Sequence, residues 1–251
     1  MGNQSKVRQN FGQRASNYRF SSTHGNPVDL ERMVKLINPS PSAVALDVAT
    51  GGGHTAIALA KYVKQVVAID ITTEMLAEAE EASKQQGLDN IDFLIEDVHN
   101  LHISDCQFDI VASRFAAHHF SDIKKALSEM CRVVKPGGKF YILDCSVVDG
   151  DEPEQKINLI ELLRDSSHQY SYSPRLWKQL LDELPLTVQH IMIYKEQYGL
   201  PQWFDRMGTD QNNRQKIFRI LNNLSVYSKI HYPFGEDYIT TYRIEILASK
   251  F

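Results

Sequence analysis

One glycine-rich segment constrains the fold of this chain more than any other feature. Its letters run ALDVATGGGH, from Ala45 to His54, and helix-forming residues follow at 56–61. An apolar run, a glycine-dense turn and a run of helix formers are typical of a strand, a tight turn and a helix. Glycines let a backbone approach a ligand closely, and the first turn of a helix leaves N–H groups unpaired. The segment therefore predicts a ligand-binding edge at the end of a buried strand.

Strands and helices alternate on both sides of this segment. Besides the strand that ends at Ala49, strands are predicted at 66–70, 91–95, 108–113, 139–145, 188–194 and 238–248. Because such alternation is typical of parallel sheets, we expect an α/β fold of the Rossmann-like kind. Its sheet would have about seven strands, mostly parallel, with helices on both faces.

Three segments interrupt this pattern within what we expect to be a single domain over 1–251. They are an N-terminal arm at 1–27, a helical segment at 150–172 and an irregular, aromatic-bearing insertion with one short helix at 198–235. We expect the arm and the two helical insertions to form a lid over the ligand edge. Trp203, Phe204 and Arg206 would line a substrate chamber under this lid or, alternatively, only pack within it.

Composition narrows the class of protein. The net charge is -4 and 23% of the residues are charged, which argues against disorder and against a broad nucleic-acid surface. The three cysteines are widely spaced and are typical of reduced packing residues in a cytoplasmic protein. The polar N-terminus predicts no signal peptide, and no apolar run approaches the roughly 20 residues that a membrane span requires. A homodimer is compatible with the sequence.

A second acid marks the end of the next strand, at Asp70. A carboxylate in this position is placed to accept both hydroxyls of a ribose, whereas the simpler alternative is a helix N-cap. Together with the glycine turn it predicts a nucleoside-bearing cofactor. Since Gly51, Gly53 and Ala56 also fit the pattern G-x-G-x-x-G/A, an NAD-dependent oxidoreductase is an alternative.

Four motifs, in order, resemble those of class I S-adenosylmethionine-dependent methyltransferases. They are LDVATGGG at 46–53, Asp70, EDV at 96–98 and RVVKPGG at 132–138. The segment SRFAAHHFSD at 113–122 resembles the ubiquinone/menaquinone-methyltransferase branch, and especially its bacterial YcgJ-like members, as do 163–168 and 203–209. The resemblance implies S-adenosylmethionine as cofactor, S-adenosylhomocysteine as product and a small or medium-sized organic methyl acceptor. A non-catalytic S-adenosylmethionine-binding protein is a further alternative.

The positions that match this family supply the candidate cofactor residues. They are Tyr18, His24, Asp47, Ala49, Thr50, Gly51, Gly53, Asp70, Ile71, Met75, Glu96, Asp97, Val98, Ser113 and Arg114. Asp97 and the Val98 N–H would meet the adenine edge. Asp47 would reach the cofactor's amino group or fix the glycine turn, and Arg114 would bind a carboxylate or form a structural ion pair. Ala49 stands where most members have glycine, and we expect it at negative φ.

The catalytic candidates are polar side chains near the fourth strand and in the first lid segment. They are His118, His119, His168, Arg164 and Asp165. A histidine with a pKa near neutrality suits deprotonation of an acceptor, and an arginine suits an anionic group. Adjacent histidines point in different directions, so at most one of His118 and His119 should face the reacting atoms. No metal site is expected, since His99 and His102 lack partners at ligand spacing.

Overall fold

The structure, a computed structural model, describes residues 8, 11–12, 15, 19–21 and 23–251. Seven strands form one sheet: β1 (Val44–Val48), β2 (Gln65–Asp70), β3 (Ile91–Ile95), β4 (Phe108–Arg114), β5 (Val134–Ser146), β6 (Leu186–Gly199) and β7 (Tyr238–Lys250). The helices within the described residues include α1 (Pro27–Ile37), α2 (His54–Ala60), α3 (Thr73–Gln85), α4 (Ile123–Val133), α5 (Asp151–Arg164), α6 (Pro174–Asp182), α7 (Leu200–Met207), α8 (Gln211–Asn222) and α9 (Val226–His231). A short 3₁₀ turn covers Ala117–His119.

The strand order is β3-β2-β1-β4-β5-β7-β6. Strands β1 to β5 pair in parallel, whereas β7 runs antiparallel to both β5 and β6. The predicted α/β fold with a mostly parallel seven-stranded sheet is confirmed. From β1 the chain proceeds to one side of the sheet through β2 and β3, and then returns to the other side at β4. That reversal opens a crevice at the carboxyl ends of β1 and β4.

Two apolar layers cover the two faces of the sheet. On one face Leu46 and Val48 of β1 belong to a cluster that includes residues of α4 and α6. On the other face Ala45 of β1 belongs to a cluster that includes residues of α1 and α2. Alternate strand residues point to opposite faces, so a sheet buried on both sides needs strands that are apolar throughout. This requirement explains the continuous apolar runs in the sequence.

Local residues begin several of the helices. The Asn26 side chain accepts from the Val28 N–H at 3.0 Å, and Pro27 begins α1. Ser173 and Pro174 begin α6 in the same way. Helix α4 is capped by Asp122, which accepts from the Lys125 N–H at 3.0 Å. Small polar caps satisfy N–H groups that have no partner within the helix.

The second half of the chain is more regular than predicted. Residues 198–235 contain three helices, α7, α8 and α9, where one short helix was expected. Helices α7 and α8 pack with α5 around a separate apolar cluster that includes Trp203 and Ile217, whereas Val226 and Ile230 of α9 are exposed. We call these helices, α5 and α7 to α9, the lid helices. Strand β6 extends well beyond 188–194, and β5 begins at Val134. Among the described residues no helix combines the length and the apolarity needed to span a bilayer.

Helix α5 ends earlier than the expected residue 172. It stops at Arg164 because the Asp165 carboxylate accepts from the Ser167 N–H at 2.9 Å and from its hydroxyl at 2.6 Å. Such a local turn competes with helical hydrogen bonds. The chain from Asp165 to Tyr172 therefore runs back under the sheet edge, where the Tyr172 carbonyl accepts from the Ser146 hydroxyl at 2.8 Å.

Candidate functional site

A deep cleft lies at the carboxyl ends of β1, β2, β3 and β4. Its empty space, including the part that is open to solvent, is about 970 Å³. Many of the predicted cofactor residues line it: His24, Ala49, Thr50, Gly51, Asp70, Ile71, Met75, Glu96, Asp97, Val98 and Arg114. The topology brings them together, since parallel strands all present their carboxyl ends at one edge.

Asp47 fixes the glycine turn. Its buried carboxylate accepts from the Thr50 hydroxyl at 2.6 Å and from the Ala56 N–H at 3.0 Å. Of the two roles left open for Asp47, the structure shows the turn-fixing one. Burial raises the pKa of Asp47 to about 7, although the hydrogen bond from Thr50 opposes the shift. The turn is thus held from below by a side chain that does not line the cleft.

Three residues of the turn adopt a left-handed backbone. The φ angles of Ala49, Gly51 and Gly53 are 55°, 53° and 83°. The expectation of a negative φ at Ala49 is wrong, because the strand must turn sharply before Thr50, whose N–H donates to the Ile69 carbonyl at 2.9 Å. A Cβ at Gly51 would meet nothing within 4 Å, so this glycine faces open space in the cleft. Gly53 does not line the cleft; a Cβ there would lie 2.8 Å from the Ala79 Cβ.

Asp70 connects two backbone segments at the floor of the cleft. One carboxylate oxygen accepts from the Gly51 N–H at 3.0 Å, and the other accepts from the Thr72 N–H at 2.9 Å. Burial raises the pKa of Asp70, and these backbone hydrogen bonds counteract part of the shift. The carboxylate is therefore held in one orientation between the glycine turn and α3.

The loop after β3 places a second acid on the cleft. Asp97 accepts from the His99 N–H at 3.0 Å and contacts its ring nitrogen Nδ1 at 2.6 Å. Glu96 makes a similar pair of contacts with His102. Val98 is buried beside Asp97 and lines the same wall. The histidine pair that the sequence excluded as a metal site thus supports the two acids of this loop.

Strand β4 delivers one predicted residue to the cleft and keeps another away from it. Ser113 is buried, and its hydroxyl donates to the Val48 carbonyl at 3.1 Å, so it joins β4 to β1 and does not line the cleft. Arg114 lines the cleft. Its Nη1 atom contacts the His24 carbonyl at 3.2 Å and the Thr55 hydroxyl at 3.4 Å.

The remaining nitrogens of Arg114 are unpaired. Nε and Nη2 are buried and have no hydrogen-bond partner within the described residues. Burial lowers the pKa of Arg114, yet guanidinium groups stay protonated in proteins. A buried cation with unused donors is costly unless a ligand supplies the acceptor, so these atoms indicate an anionic group in the cleft.

The N-terminal arm contributes His24 to the cleft wall. Its ring lies edge-on to Phe115, with ring centroids 5.2 Å apart. Burial lowers the pKa of His24 well below its usual value, and the nearby charges of Arg206 and Arg114 lower it further. Phe11 also lines the cleft. Tyr18 lies outside the described residues.

The two adjacent histidines face different surroundings. His118 contacts Asp144 through Nδ1 at 2.5 Å, and does not line the cleft. Burial alone would lower the pKa of His118, but the Asp144 carboxylate offsets this and the pKa is raised. His119 lines the cleft, and burial together with the charge of His118 lowers its pKa to about 4. The two rings are in contact with their centroids 4.0 Å apart and their planes tilted by 45°.

The candidates of the first lid segment lie behind the histidine pair. The Asp165 carboxylate approaches His119 Nε2 at 3.9 Å, and the His168 ring lies 5.7 Å from that of His118. Arg164 forms a buried ion pair with Glu161 at 2.8 Å. Neither His168, Asp165 nor Arg164 lines the cleft. The structure therefore gathers the candidate residues but exposes only His119 to a ligand there.

Some site residues were missed in the sequence. Asp144 orients His118, and its signal was an acid inside the apolar strand 140–145. Phe115 lines the cleft with a left-handed φ of 54°, for which its residue type gave no signal. Donor atoms of His118, Asp144 and Cys145 lie within 4.8 Å of one another, but His118 and Asp144 already bond to each other there.

Known proteins are similar to this chain in sequence and in fold. A family model described as a methyltransferase domain matches residues 39–220. The uncharacterized methyltransferase YcgJ of Bacillus subtilis (strain 168) is 31% identical over 215 residues, which are 86% of this chain and 85% of the relative. The crystal structure of YcgJ superimposes with a TM-score of 0.84 at 29% identity and covers 88% of this chain and 97% of its own.

Two further structures extend the comparison. A candidate methyltransferase from Bacillus halodurans has a TM-score of 0.85 at 27% identity, with 89% of this chain and 99% of that chain covered. A geranyl diphosphate methyltransferase solved in complex with S-adenosylmethionine has a TM-score of 0.64 at 11% identity and covers 89% of this chain and 85% of its own, so it shares the fold alone. The family model spans most of the chain, and the matches to YcgJ agree with it. This chain belongs to the methyltransferase domain family and is a methyltransferase.

Proposed function

We propose that the protein transfers a methyl group from S-adenosylmethionine to a small or medium-sized organic acceptor and releases S-adenosylhomocysteine. The observation that carries this proposal is the arrangement of acidic and basic side chains along one cleft. Two carboxylates, Asp70 and Asp97, lie at the ends of successive strands beside the glycine turn. The guanidinium of Arg114, with two nitrogens that have no partner among the described residues, lies at the end of β4. A zwitterionic nucleoside thioether offers hydroxyls, an amino group and a carboxylate to match them.

Each part of the cofactor has a counterpart in this arrangement. The ribose hydroxyls would donate to Asp70, and the adenine would lie against Val98 with its amino group at Asp97. The methionine carboxylate would accept from Nε and Nη2 of Arg114, which fits their lack of partners. The open space over Gly51 supports the same placement, since any side chain there would project into the cleft. The residues present therefore fit the cofactor.

When bound, the cofactor supplies a methyl group already activated by a positively charged sulfur. The acceptor's electron pair forms the new bond to carbon as the carbon–sulfur bond breaks, and the pair of that bond stays on sulfur. The protein's task is to hold donor and acceptor in line and to exclude water; positioning of this kind contributes up to roughly 7–11 kcal/mol.

His119 is the group that we assign to the acceptor side. Its lowered pKa keeps the ring neutral at pH 7, and the contact of Nδ1 with the Ser167 carbonyl at 3.2 Å fixes the ring in the cleft wall, where it would contact the acceptor. His118, paired with Asp144, would hold that ring in place through the contact between the two tilted rings. An acceptor that arrives already deprotonated would need no base.

Isothermal titration tests the cofactor. We expect saturable binding of S-adenosylmethionine and S-adenosylhomocysteine and no binding of NAD⁺ or NADH. Tight binding of NADH with no response to S-adenosylmethionine would revive the oxidoreductase alternative. Family membership argues against that outcome, because the glycine pattern shared with dehydrogenases was its only support.

Transfer is tested with a radiolabelled methyl donor and fractionated metabolite extracts. We expect label in at least one low-molecular-weight fraction. Binding without transfer to any fraction would favour the non-catalytic alternative. The cytoplasmic location, the homodimer and the absence of a nucleic-acid partner stay predictions from the sequence, and gel filtration and mobility-shift assays test the last two.

A further inference from the structure

A second, smaller cavity lies between the lid helices and the carboxyl end of β5. It holds about 450 Å³ out to its mouth. Its walls come from β5 to β7, from α5 and α7 and from the segment after α5: Cys145, Ser146, Ile157, Glu161, Arg164, Ser171, Tyr198, Trp203, Arg206, Thr241, Tyr242 and Arg243. The proposed function does not use this cavity.

The charges on its wall are predominantly positive. Three guanidinium groups line it, against the single carboxylate of Glu161. Arg164 is neutralised by Glu161 at 2.8 Å, and Arg243 is neutralised by Asp29 at 2.9 Å. Arg206 has no carboxylate within ion-pair distance in the part of the chain that the structure describes, and its Nη2 donates only to the Thr23 hydroxyl at 2.8 Å. The cavity thus has one cation in excess.

A buried hydroxyl on the same wall is also unsatisfied. The Oγ atom of Ser171 is shielded from solvent and has no hydrogen-bond partner among the described residues, although its backbone N–H donates to Asn158 at 2.6 Å. Ser171 is 1% exposed. Buried polar atoms without partners are rare, and each one points to a group that is missing. Ser171 and Arg206 both line this cavity.

This cavity adjoins the cofactor cleft. The Arg243 guanidinium lies 4.9 Å from the centroid of the Phe115 ring, and Phe115 lines the cleft. The charge of Arg206 also acts on His24, which lines the cleft beside Phe115. Phe115 and His24 of the cleft wall therefore lie close to Arg243 and Arg206 of the cavity wall, at the end where β4 places Arg114.

Aromatic faces complete the cavity. Arg206 and Arg243 lie over the Tyr198 ring at 5.4 Å and 5.7 Å, and Arg164 lies over the Trp203 ring at 4.7 Å. Planar guanidinium groups match a carboxylate with two parallel hydrogen bonds, and aromatic walls favour a ring or an alkyl chain next to it. Since only one cation is in excess, a single negative charge is the best electrostatic match.

We propose that this cavity binds the carboxylate of the methyl acceptor, with Arg206 as its main ion-pair partner and Ser171 as a second donor. The inference rests on the proposed function, because the acceptor is defined only by the methyl transfer. It narrows the acceptor class to small, apolar monocarboxylates whose nucleophilic atom projects past Phe115 toward the cleft.

Ligand titration on the protein loaded with S-adenosylhomocysteine tests the proposal. Benzoate is the probe, and benzamide is its uncharged analogue of nearly equal shape. We expect benzoate to bind saturably and at least tenfold more tightly than benzamide. The variant Arg206→Gln should lose at least tenfold in benzoate affinity and keep the wild-type affinity for S-adenosylhomocysteine.

The matched control is Arg214→Gln. Arg214 is another lid arginine that packs over an aromatic ring, Phe204 at 4.9 Å, but it pairs with Asp205 and does not line the cavity. It should bind benzoate like the wild type. Absent or unsaturable benzoate binding, equal binding of benzamide, or equal losses in both variants would overturn the carboxylate site. If S-adenosylhomocysteine itself does not bind, the proposed function fails first, and the two failures are thereby distinguished.

Discussion

Replacing Arg114 by methionine separates its contribution to ligand binding from its contribution to folding. In the unliganded protein the guanidinium is buried, and two of its nitrogens have no partner. Each unsatisfied buried donor costs about 1–3 kcal/mol, whereas a retained hydrogen bond contributes about 1 kcal/mol. The two contacts of Nη1, at 3.2 Å and 3.4 Å, are long. We therefore expect the free energy of unfolding of the unliganded variant to be unchanged or higher.

The liganded protein should respond in the opposite direction. Hydrogen bonds between a guanidinium and a carboxylate contribute about 1.5–3 kcal/mol, and a tenfold change in affinity corresponds to about 1.4 kcal/mol. Arg114→Met should therefore weaken S-adenosylhomocysteine binding by about ten- to a hundredfold. The truncated ligand 5′-methylthioadenosine has the same nucleoside but no amino-acid carboxylate, so its affinity should not change.

Two measurements check this pair of effects. Chemical denaturation without ligand gives the stability, and calorimetry with both ligands at pH 7 gives the affinities. The difference between the ligands isolates the amino-acid part of the cofactor, since both ligands would place the same nucleoside at Asp70 and Asp97. Equal losses for the two ligands would show that Arg114 only shapes the nucleoside site. A large loss of stability without ligand would mean that the guanidinium is satisfied in solution, and the reasoning from its orphaned atoms would be refuted.

Three further perturbations test other parts of the site. Asp70→Ala should weaken S-adenosylhomocysteine binding at least tenfold by calorimetry, whereas Asp92→Ala, an exposed acid on β3, should not; equal affinities would remove Asp70 from the ribose. Ala49→Gly should raise the melting temperature by about 2 °C, because the left-handed φ of 55° costs alanine about 1 kcal/mol, and Ala45→Gly within β1 should lower it. Burial lowers the pKa of His168 to about 2 from its usual 6.5. As the pH falls from 7 to 5, the His168 ring therefore takes up a proton in the unfolded chain and not in the folded chain. The stability that the neutral ring contributes above pH 6.5 is lost over this range. His168→Gln should remove about 2 kcal/mol of that loss in pH-dependent denaturation; an unchanged pH slope would contradict a neutral buried ring.

Periodicity was sufficient for the first half of the fold. The apolar runs that ended at Asp70 and Ile95 became β2 and β3. Strand β2 is mostly buried, as a doubly covered parallel sheet demands, whereas β3 lies at the edge of the sheet and is largely exposed. The lid was harder to predict. Helices α5, α7 and α8 bury apolar residues against one another and against β7, so the spacing of these residues follows from contacts that form only in the assembled lid. One aspartate, Asp165, ended α5 with a turn that no periodicity reveals.

The same distinction applies to the candidate site, where residues at strand ends were predictable and roles that depend on distant contacts were not. Asp70, Asp97 and the glycine turn were predictable because each follows directly from the end of a strand. Asp47 was recognised as a residue of the site, but which of two roles it plays depended on a hydrogen bond to Ala56, nine positions along the chain. Ser113 and Arg114 are neighbours with opposite orientations, and only the pairing of β4 with β1 decides which of them reaches the cleft.

Backbone strain at the cleft could not be predicted from residue type. Within the described residues four non-glycine positions have a positive φ, Asn38, Ala49, Cys106 and Phe115, and two of them line the cleft. Ala49 and Phe115 directly follow the neighbouring strands β1 and β4, so both mark the crevice where the chain reverses across the sheet. A left-handed bulky residue costs about 1–3 kcal/mol and persists only where its surroundings fix it. At Phe115 the N–H donates to the Leu143 carbonyl at 2.8 Å, and the ring is held between His24 and Arg243. The strained residue is therefore the wall between the cofactor cleft and the arginine-lined cavity, which is where methyl transfer would require donor and acceptor to meet.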